Sequence, residues 1–209
     1  MSEAYLDCRD YKNPDIKQCH NCPNVICPKN YKYKGSYHAD AIIPEKLHAI
    51  YGIKDSGERT EFDTGAVRDM QGEDKGACHL LPLDTVAELF EFEIREVFIN
   101  IDLFLNDFNT AHLDMALRLF AEYKGLTIPQ MILEVSIHYR DGAKKYKPNN
   151  WKMGIPVSSY ISSGVRHLLK DIDGVCDERH DRAFVWNMLG AIWTMENKPE
   201  LNDLPKIGA

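Results

Sequence analysis

Apolar residues in the second half of the chain recur every three or four positions, the spacing that places them on one face of an α-helix. The first such run follows Asp84, a residue type favoured at the N-cap, and predicts one long helix. Its apolar positions are Val86, Phe90, Ile94, Val97, Ile101, Leu105 and Phe108.

Four more helices are predicted downstream from capping residues and the same periodicity. Thr110 and Thr127 are the expected N-caps of the second and third helices, and Gly125 is expected to end the second. Ser158 starts the predicted fourth helix, and Asp177 caps the fifth. The pattern contains no convincing strand, so it predicts an all-α fold, a helical bundle of about five helices.

The chain is predicted to have four parts. Residues 1–36 are rich in turn-forming residues and poor in apolar ones, which is typical of a small head that cannot build its own core. Residues 37–82 are expected to be loop-rich, because glycine and small polar residues recur there without a sustained period. Residues 83–198 form the predicted helical domain, and residues 199–209 a tail.

Four of the six cysteines lie in the N-terminal head, in the order C-x10-C-x2-C-x4-C. They are Cys8, Cys19, Cys22 and Cys27. Four thiolates are the donor set of a closed structural zinc site, so we expect these residues to bind Zn²⁺. Disulfides, an iron–sulfur cluster or a redox pair are the alternatives, and His20 or His38 is an alternative ligand to one cysteine. Cys78 and Cys176 are isolated in sequence and are expected to be free thiols.

Composition and charge exclude several protein classes. The 209 residues are 44% hydrophobic and 27% charged, as in an ordinary globular domain. The sequence contains neither a membrane span nor a signal-peptide pattern, so a cytoplasmic location is expected. A net charge of −7 makes nucleic acid an unfavourable partner. Residues 1–35, with six basic and four acidic side chains, are the exception.

Ionisable side chains are concentrated on the last three predicted helices. Glu134 and His138 are four residues apart and share a helix face. His167 lies on the fourth helix, and the fifth begins Asp177-Glu178-Arg179-His180-Asp181. Helical bundles build metal sites by converging such groups, with carboxylates suited to Mg²⁺ and imidazoles to Mn²⁺ or a transition metal. Helix-dipole complementation by the acidic residues and hydrogen-bonded core histidines explain the same pattern without a ligand.

Basic and aromatic residues next to the fourth helix are candidate nucleotide ligands. Lys144 and Lys145 would bind phosphates and Trp151 would stack a base, although a solvated lysine patch beside a buried tryptophan fits equally well. Arg59, Arg68 and Lys75 in the loop-rich segment are weaker phosphate candidates. The sequence contains no Walker A loop, no GxGxxG and no GxSxG motif. It therefore lacks the signatures of P-loop, Rossmann and serine-hydrolase proteins.

A series of short motifs is spread over the helical part of the chain. It comprises Ser56-Gly57-Glu58-Arg59, residues 64–69, Leu80-Leu81-Pro82, residues 138–146, Asn150-Trp151, Gly154-Ile155-Pro156, residues 166–170, Asp177-Glu178 with His180, and Ala183 with Trp186-Asn187. This series resembles the bacteriophage and prophage family named for the N-terminal domain of dATP/dGTP diphosphohydrolase. The resemblance covers roughly residues 56–197, is interrupted by an apparent helical insertion around residues 92–125, and leaves the cysteine head outside.

The resemblance implies an enzyme that releases pyrophosphate from purine deoxynucleoside triphosphates, in the manner of the all-α MazG-like pyrophosphohydrolases. Those enzymes hold Mg²⁺ with an ExxE motif on one helix and an ExxD motif on another. Residues 178–181 match ExxD, whereas the preceding helix carries Ser163 and Arg166 where acids are expected. Residues 93–96 match ExxE but lie far upstream.

The leading hypothesis from the sequence is a metal-dependent, phage-encoded dATP/dGTP diphosphohydrolase that acts in the cytoplasm of the infected host. The resemblance to MazG-like enzymes also implies a homo-oligomer. Asp177, Glu178 and Asp181 are the expected Mg²⁺ or Mn²⁺ ligands. The expected further ligands or general bases are Glu134, His138, His167 and His180. The expected substrate-binding residues are Lys144, Lys145, Trp151, Arg166, Lys170 and Asn187. The alternative is a non-catalytic module that binds a nucleotide or a host protein and carries a structural zinc head.

Overall fold

The structure is a computed structural model, and it describes residues 53, 57–70, 75–175 and 177–206. All of them belong to the unit Ile43–Ala209. The predicted zinc ligands Cys8, Cys19, Cys22 and Cys27 lie outside the described residues, as does Cys176.

The described residues are mainly helical, which confirms the predicted fold class for this part of the chain. The α-helices are α1 Leu83–Ala87, α2 Phe92–Asp107, α3 Thr110–Tyr123, α4 Ile128–Tyr146, α5 Asn150–Met153, α6 Val157–Asp173 and α7 His180–Asn197. Short 3₁₀ turns occupy Cys78–Leu80 and Pro199–Leu201. Within the described ranges, no helix combines the length and the apolar character that crossing a bilayer requires.

The predicted first helix is two helices in the structure. The chain leaves helical geometry after α1, and the side chains of Leu89 and Phe92 on either side of the break are 80% and 74% exposed. The apolar spacing of the predicted helix continues across this break, so periodicity alone did not show it. Phe108 ends α2 in the left-handed conformation, with φ of 60°.

A small antiparallel hairpin precedes the helices and was not predicted. Its strands are β1 Arg59–Glu61 and β2 Val67–Asp69, paired with Arg59 opposite Asp69. Three residues per strand are too few to show an alternating pattern. The side chain of Asn150 fastens β2 from its free side: Nδ2 donates to the Val67 carbonyl at 2.7 Å, and Oδ1 accepts from the Val67 amide at 2.8 Å.

Helices α6 and α7 approach each other closely at two glycines. A Cβ atom built on Gly190 would lie 2.7 Å from Cζ of the fully buried Tyr160, and one built on Gly164 would lie 3.3 Å from Cβ of Asn187. Gly174 ends α6 in the left-handed conformation, and α7 begins at His180. This arrangement brings the C-terminal half of α6 next to the start of α7.

Candidate metal centre

Three donor atoms from α6 and the start of α7 converge. Nδ1 of His167 lies 3.0 Å from Nδ1 of His180. Oε1 of Glu178 lies 3.3 Å from the former nitrogen and 3.4 Å from the latter. Donors held at about 2.1 Å from one ion are separated by roughly 3.0 Å in octahedral and roughly 3.4 Å in tetrahedral coordination. Among the described residues, these three donors are the group whose separations suit a single metal ion.

The carboxylate of Asp177 orients one of the imidazoles. Nε2 of His180 donates to Oδ1 of Asp177 at 2.7 Å, and the His180 side chain is 1% exposed. With the proton on Nε2, the lone pair of Nδ1 faces the other two donors. A carboxylate behind a histidine ligand is the usual second layer of a protein metal site. Lys170, 3.7 Å from the other oxygen of Asp177, balances its charge.

Burial keeps two histidines of this region neutral. It lowers the pKa of His167 to about 3, against the opposing charge of Glu178. It lowers the pKa of His138, on α4, to about 4, again against Glu178. The ring of His138 lies 5.8 Å from that of Trp186, between centroids. Neutral imidazoles are the form that binds a metal ion or accepts a proton.

Two other acids from the predicted site are held by arginines. Oε2 of Glu134 accepts from Arg182 at 2.6 Å and from Arg179 at 3.3 Å. Arg179 also donates to both oxygens of Asp181, at 2.9 Å and 2.6 Å. Although burial opposes it, Arg179 holds the pKa of Asp181 below its usual range. These ion pairs join α4 to the start of α7, and the two acids of the ExxD motif therefore have different partners.

The two predicted lysines differ in environment. Lys145 is 9% exposed and donates to Oδ2 of Asp69 at 2.7 Å, while the hydroxyl of Tyr146 donates to Oδ1 at 2.7 Å. These bonds attach the end of α4 to β2. Lys144 is 71% exposed and lies 3.7 Å from Asp141. Both lysines belong to the last turn of α4.

Trp151 is packed among aromatic side chains. Its ring lies 5.6 Å from that of Tyr139 and 5.0 Å from that of Trp193, both edge-on. Lys152 lies over the same indole at 5.3 Å. This tryptophan, predicted to stack a base, thus contributes to the packing of α5 against α4 and α7.

Arg166, Asn187 and Arg68 form hydrogen bonds with groups on α6 and α7. Arg166 directly precedes His167, and its Nη2 donates to Ser163 at 2.8 Å. Asn187 is buried, and its Nδ2 donates to the Ala183 carbonyl at 2.7 Å. Its Oδ1 accepts from Nη2 of Arg68 at 2.6 Å. The sequence ranked Arg68 low because nothing in its local pattern shows that the hairpin inserts it beside α7.

The model of the family described as "dATP/dGTP diphosphohydrolase, N-terminal" matches residues 112–204. The resemblance inferred from short motifs is therefore confirmed over this segment. The segment contains all three converging donors, and it begins within the predicted insertion around residues 92–125. No curated protein and no solved structure matches the chain.

Proposed function

We propose, from this family match and the metal centre together, that the protein is a metal-dependent hydrolase that cleaves purine (deoxy)nucleoside triphosphates to the monophosphate and pyrophosphate. The observation that carries the proposal is the convergence of His167, Glu178 and His180 at separations of 3.0 to 3.4 Å. The printed family description supports the substrate class.

The donor set favours one class of ion. Two imidazole nitrogens and one carboxylate oxygen fit Mn²⁺ or another transition metal better than Mg²⁺, which prefers oxygen ligands. Three protein donors leave coordination positions open for water and phosphate. When bound, such an ion neutralises charge on phosphate oxygens and assists the ionisation of water. The metal ligands of this proposal are therefore His167, Glu178 and His180, with Asp177 orienting His180.

The protein's own side chains account for the remaining steps. Water attacks the α-phosphorus, the bond from that phosphorus to the bridging oxygen breaks, and pyrophosphate leaves. We assign the proton that the attacking water loses to His138, an imidazole on α4 that burial keeps neutral. Arg166 and Lys170, on the same helix as His167, supply positive charge for the phosphates.

The test compares matched pairs of variants. Purified protein is incubated with each nucleoside triphosphate and Mn²⁺, Zn²⁺ or Mg²⁺, and released pyrophosphate is measured. His167→Ala and Glu178→Gln should reduce release at least about 100-fold. His112→Ala and Glu88→Gln, which remove surface ion-pair partners, should leave it unchanged. Absence of release above the two site variants, for every nucleotide and every ion, would refute the hydrolase.

A second candidate is a module that binds a nucleotide without cleaving it. It is favoured by the presence of one carboxylate, Glu178, among the converging donors, where MazG-like enzymes use paired acids. Calorimetric binding of a nucleoside triphosphate without turnover would select this candidate.

We also propose that the four N-terminal cysteines bind a structural zinc ion, separate from the histidine centre. Metal analysis separates it from the histidine centre. Cys19→Ser with Cys22→Ser should remove one zinc per chain, whereas His167→Ala should remove only the second ion. Retention of zinc by the cysteine variant would contradict the proposed head.

A further inference from the structure

The guanidinium group of Arg68 is held in place by three side chains of α6 and α7. Its Nη2 donates to Oδ1 of Asn187 at 2.6 Å. Its central carbon lies over the rings of Tyr160 and Trp186, 5.5 Å and 5.6 Å from their centroids. These contacts fix the position of a long, flexible side chain, so the group is ready to bind without first being ordered.

The second terminal nitrogen of this guanidinium group lacks a hydrogen-bond partner. Nη1 of Arg68 is buried and has no hydrogen-bond acceptor among the described residues. Burial lowers the pKa of Arg68 to about 10, so the group is still charged at neutral pH. A buried, charged donor without an acceptor is unfavourable, and an anionic ligand would supply what is missing.

A second arginine lies close to the first. Arg166 donates to Ser163, the neighbour of Gly164, and α7 approaches Gly164 at Asn187, the residue that holds Arg68. In agreement with this placement, the charge of Arg166 lowers the pKa of Arg68. The contacts of Arg166 are to uncharged groups, the Ser163 hydroxyl at 2.8 Å and the Gly76 carbonyl at 3.4 Å. In the part of the chain that is described, no carboxylate forms a salt bridge with either arginine. Arginine pairs of this kind suit phosphate oxygens, which accept two parallel N–H bonds.

The arginine pair adjoins the metal centre. The charges of Arg166 and Arg68 both lower the pKa of His167. Asn187, which holds Arg68, lies seven residues beyond His180 on α7, about 10 Å along the helix axis. An anion held by these arginines would therefore lie beside the same pair of helices as the three donors.

We propose that Arg68 and Arg166 form an anion site that binds the β- and γ-phosphates of a nucleoside triphosphate, while the α-phosphate lies at the histidine centre. The assignment of the anion to these phosphates rests on the proposed function; the presence of an anion site does not. Asn187 is then a positioning residue that acts through Arg68.

Inorganic tripolyphosphate tests the site in the absence of metal. Calorimetry on the full chain in EDTA, at low salt, should show binding to the unmodified protein. Arg68→Met and Arg166→Gln should each weaken it about 10-fold or more. Arg68→Lys should weaken it by less, because lysine keeps the positive charge and loses only the paired N–H donors of the guanidinium group. Arg118→Met, which removes an exposed arginine from α3, should leave the affinity unchanged.

The outcomes separate this site from the hydrolase. Arg166 is only half-buried, so Arg166→Gln stays informative if thermal melts show that Arg68→Met is poorly folded. Unchanged affinity in a folded Arg166→Gln variant, an equal loss in Arg118→Met, or no binding to the unmodified protein would each overturn the proposal. Tripolyphosphate binding that persists in Glu178→Gln and disappears in Arg166→Gln supports the site, even if no nucleotide is hydrolysed.

Discussion

The Nδ1 atoms of His167 and His180 face each other at 3.0 Å, although the two residues belong to different helices. At this separation both nitrogens cannot carry a proton. Asp177 accepts the Nε2 proton of His180, which leaves Nδ1 of that ring with its lone pair. His167 therefore donates across the gap in the metal-free protein. A bound cation would replace that single proton, so metal binding needs little rearrangement of the two helices.

Removal of the Asp177 carboxylate should weaken metal binding without abolishing it. Asp177→Asn leaves all three donors but replaces the carboxylate by a neutral amide that can also donate, so the His180 tautomer is no longer fixed and we expect about 10- to 100-fold lower Mn²⁺ affinity. Asp173→Asn, at an exposed position at the end of α6, is the charge-matched control. Equal Mn²⁺ affinities in calorimetry for the unmodified protein and Asp177→Asn would show that Asp177 does not orient the histidine.

The stability of the metal-free protein should fall as the pH falls, partly because of His138. Unfolded His138 binds a proton near its ordinary pKa of 6.5, whereas burial lowers the pKa of the folded residue to about 4. The unfolded state therefore binds more protons between these values. The loss is about 1.4 kcal/mol per pH unit, or ~3 kcal/mol over the whole interval.

The measurement is the free energy of unfolding in urea, with EDTA, at several pH values from 7 to 4. His138→Gln should show a shallower decline over that range, whatever its stability at neutral pH. Parallel curves for the two proteins would mean that folded His138 titrates as it does in the unfolded chain.

The close approach of α6 and α7 predicts unequal costs for two alanine substitutions. A methyl group on Gly190 meets the rigid ring of the fully buried Tyr160, with Cζ at 2.7 Å. A methyl group on Gly164 meets chiefly the flexible end of Met188. Gly190→Ala should cost about 1–3 kcal/mol of unfolding free energy, and Gly164→Ala clearly less. Chemical denaturation of both variants checks the order, which would be contradicted if Gly164→Ala were the more damaging.

Local signals identified some helix ends correctly and others wrongly. Asp84, Thr110 and Asp177 were predicted as N-caps, whereas the caps of α1, α3 and α7 are Pro82, Asn109 and Arg179. Thr127 was predicted to cap a helix, and it forms a capping box with Gln130, in which each side chain bonds the other's backbone amide. Gly125 was predicted to end a helix, and it adopts a positive φ of 65° just beyond α3. Both features need only a few neighbouring residues, which the sequence displays directly.

Contacts between distant residues decided the rest of the site. Glu134 and Asp181 are typical of metal-ligand patterns, yet their partner Arg179 lies 45 residues from the former. His167, Glu178 and His180 were predicted as candidates from their residue type and helix face. These two properties do not show that Glu134 and Asp181 bind arginine whereas Glu178 faces the imidazoles. Arg68 was underestimated for the same reason, because its position depends on how a hairpin of three-residue strands packs against α7.

The ion pair between Lys124 and Asp171 gives the last prediction. Nζ of Lys124 lies 3.0 Å from both oxygens of Asp171, and the side chains are 14% and 9% exposed. The pair joins the end of α3 to α6. Lys124→Met would leave a buried carboxylate whose pKa burial already raises, so we expect a loss of about 3–5 kcal/mol.

A second substitution distinguishes the pair itself from the burial of its charges. Lys124→Met with Asp171→Leu removes both charges, and it should recover most of the unfolding free energy that Lys124→Met alone loses. Arg118→Ala, which breaks the exposed pair with Asp114, should lower the unfolding free energy far less than Lys124→Met does. Urea denaturation of the three variants completes the comparison. A double variant no more stable than Lys124→Met would show that the lysine stabilises the protein by packing and not by neutralising Asp171.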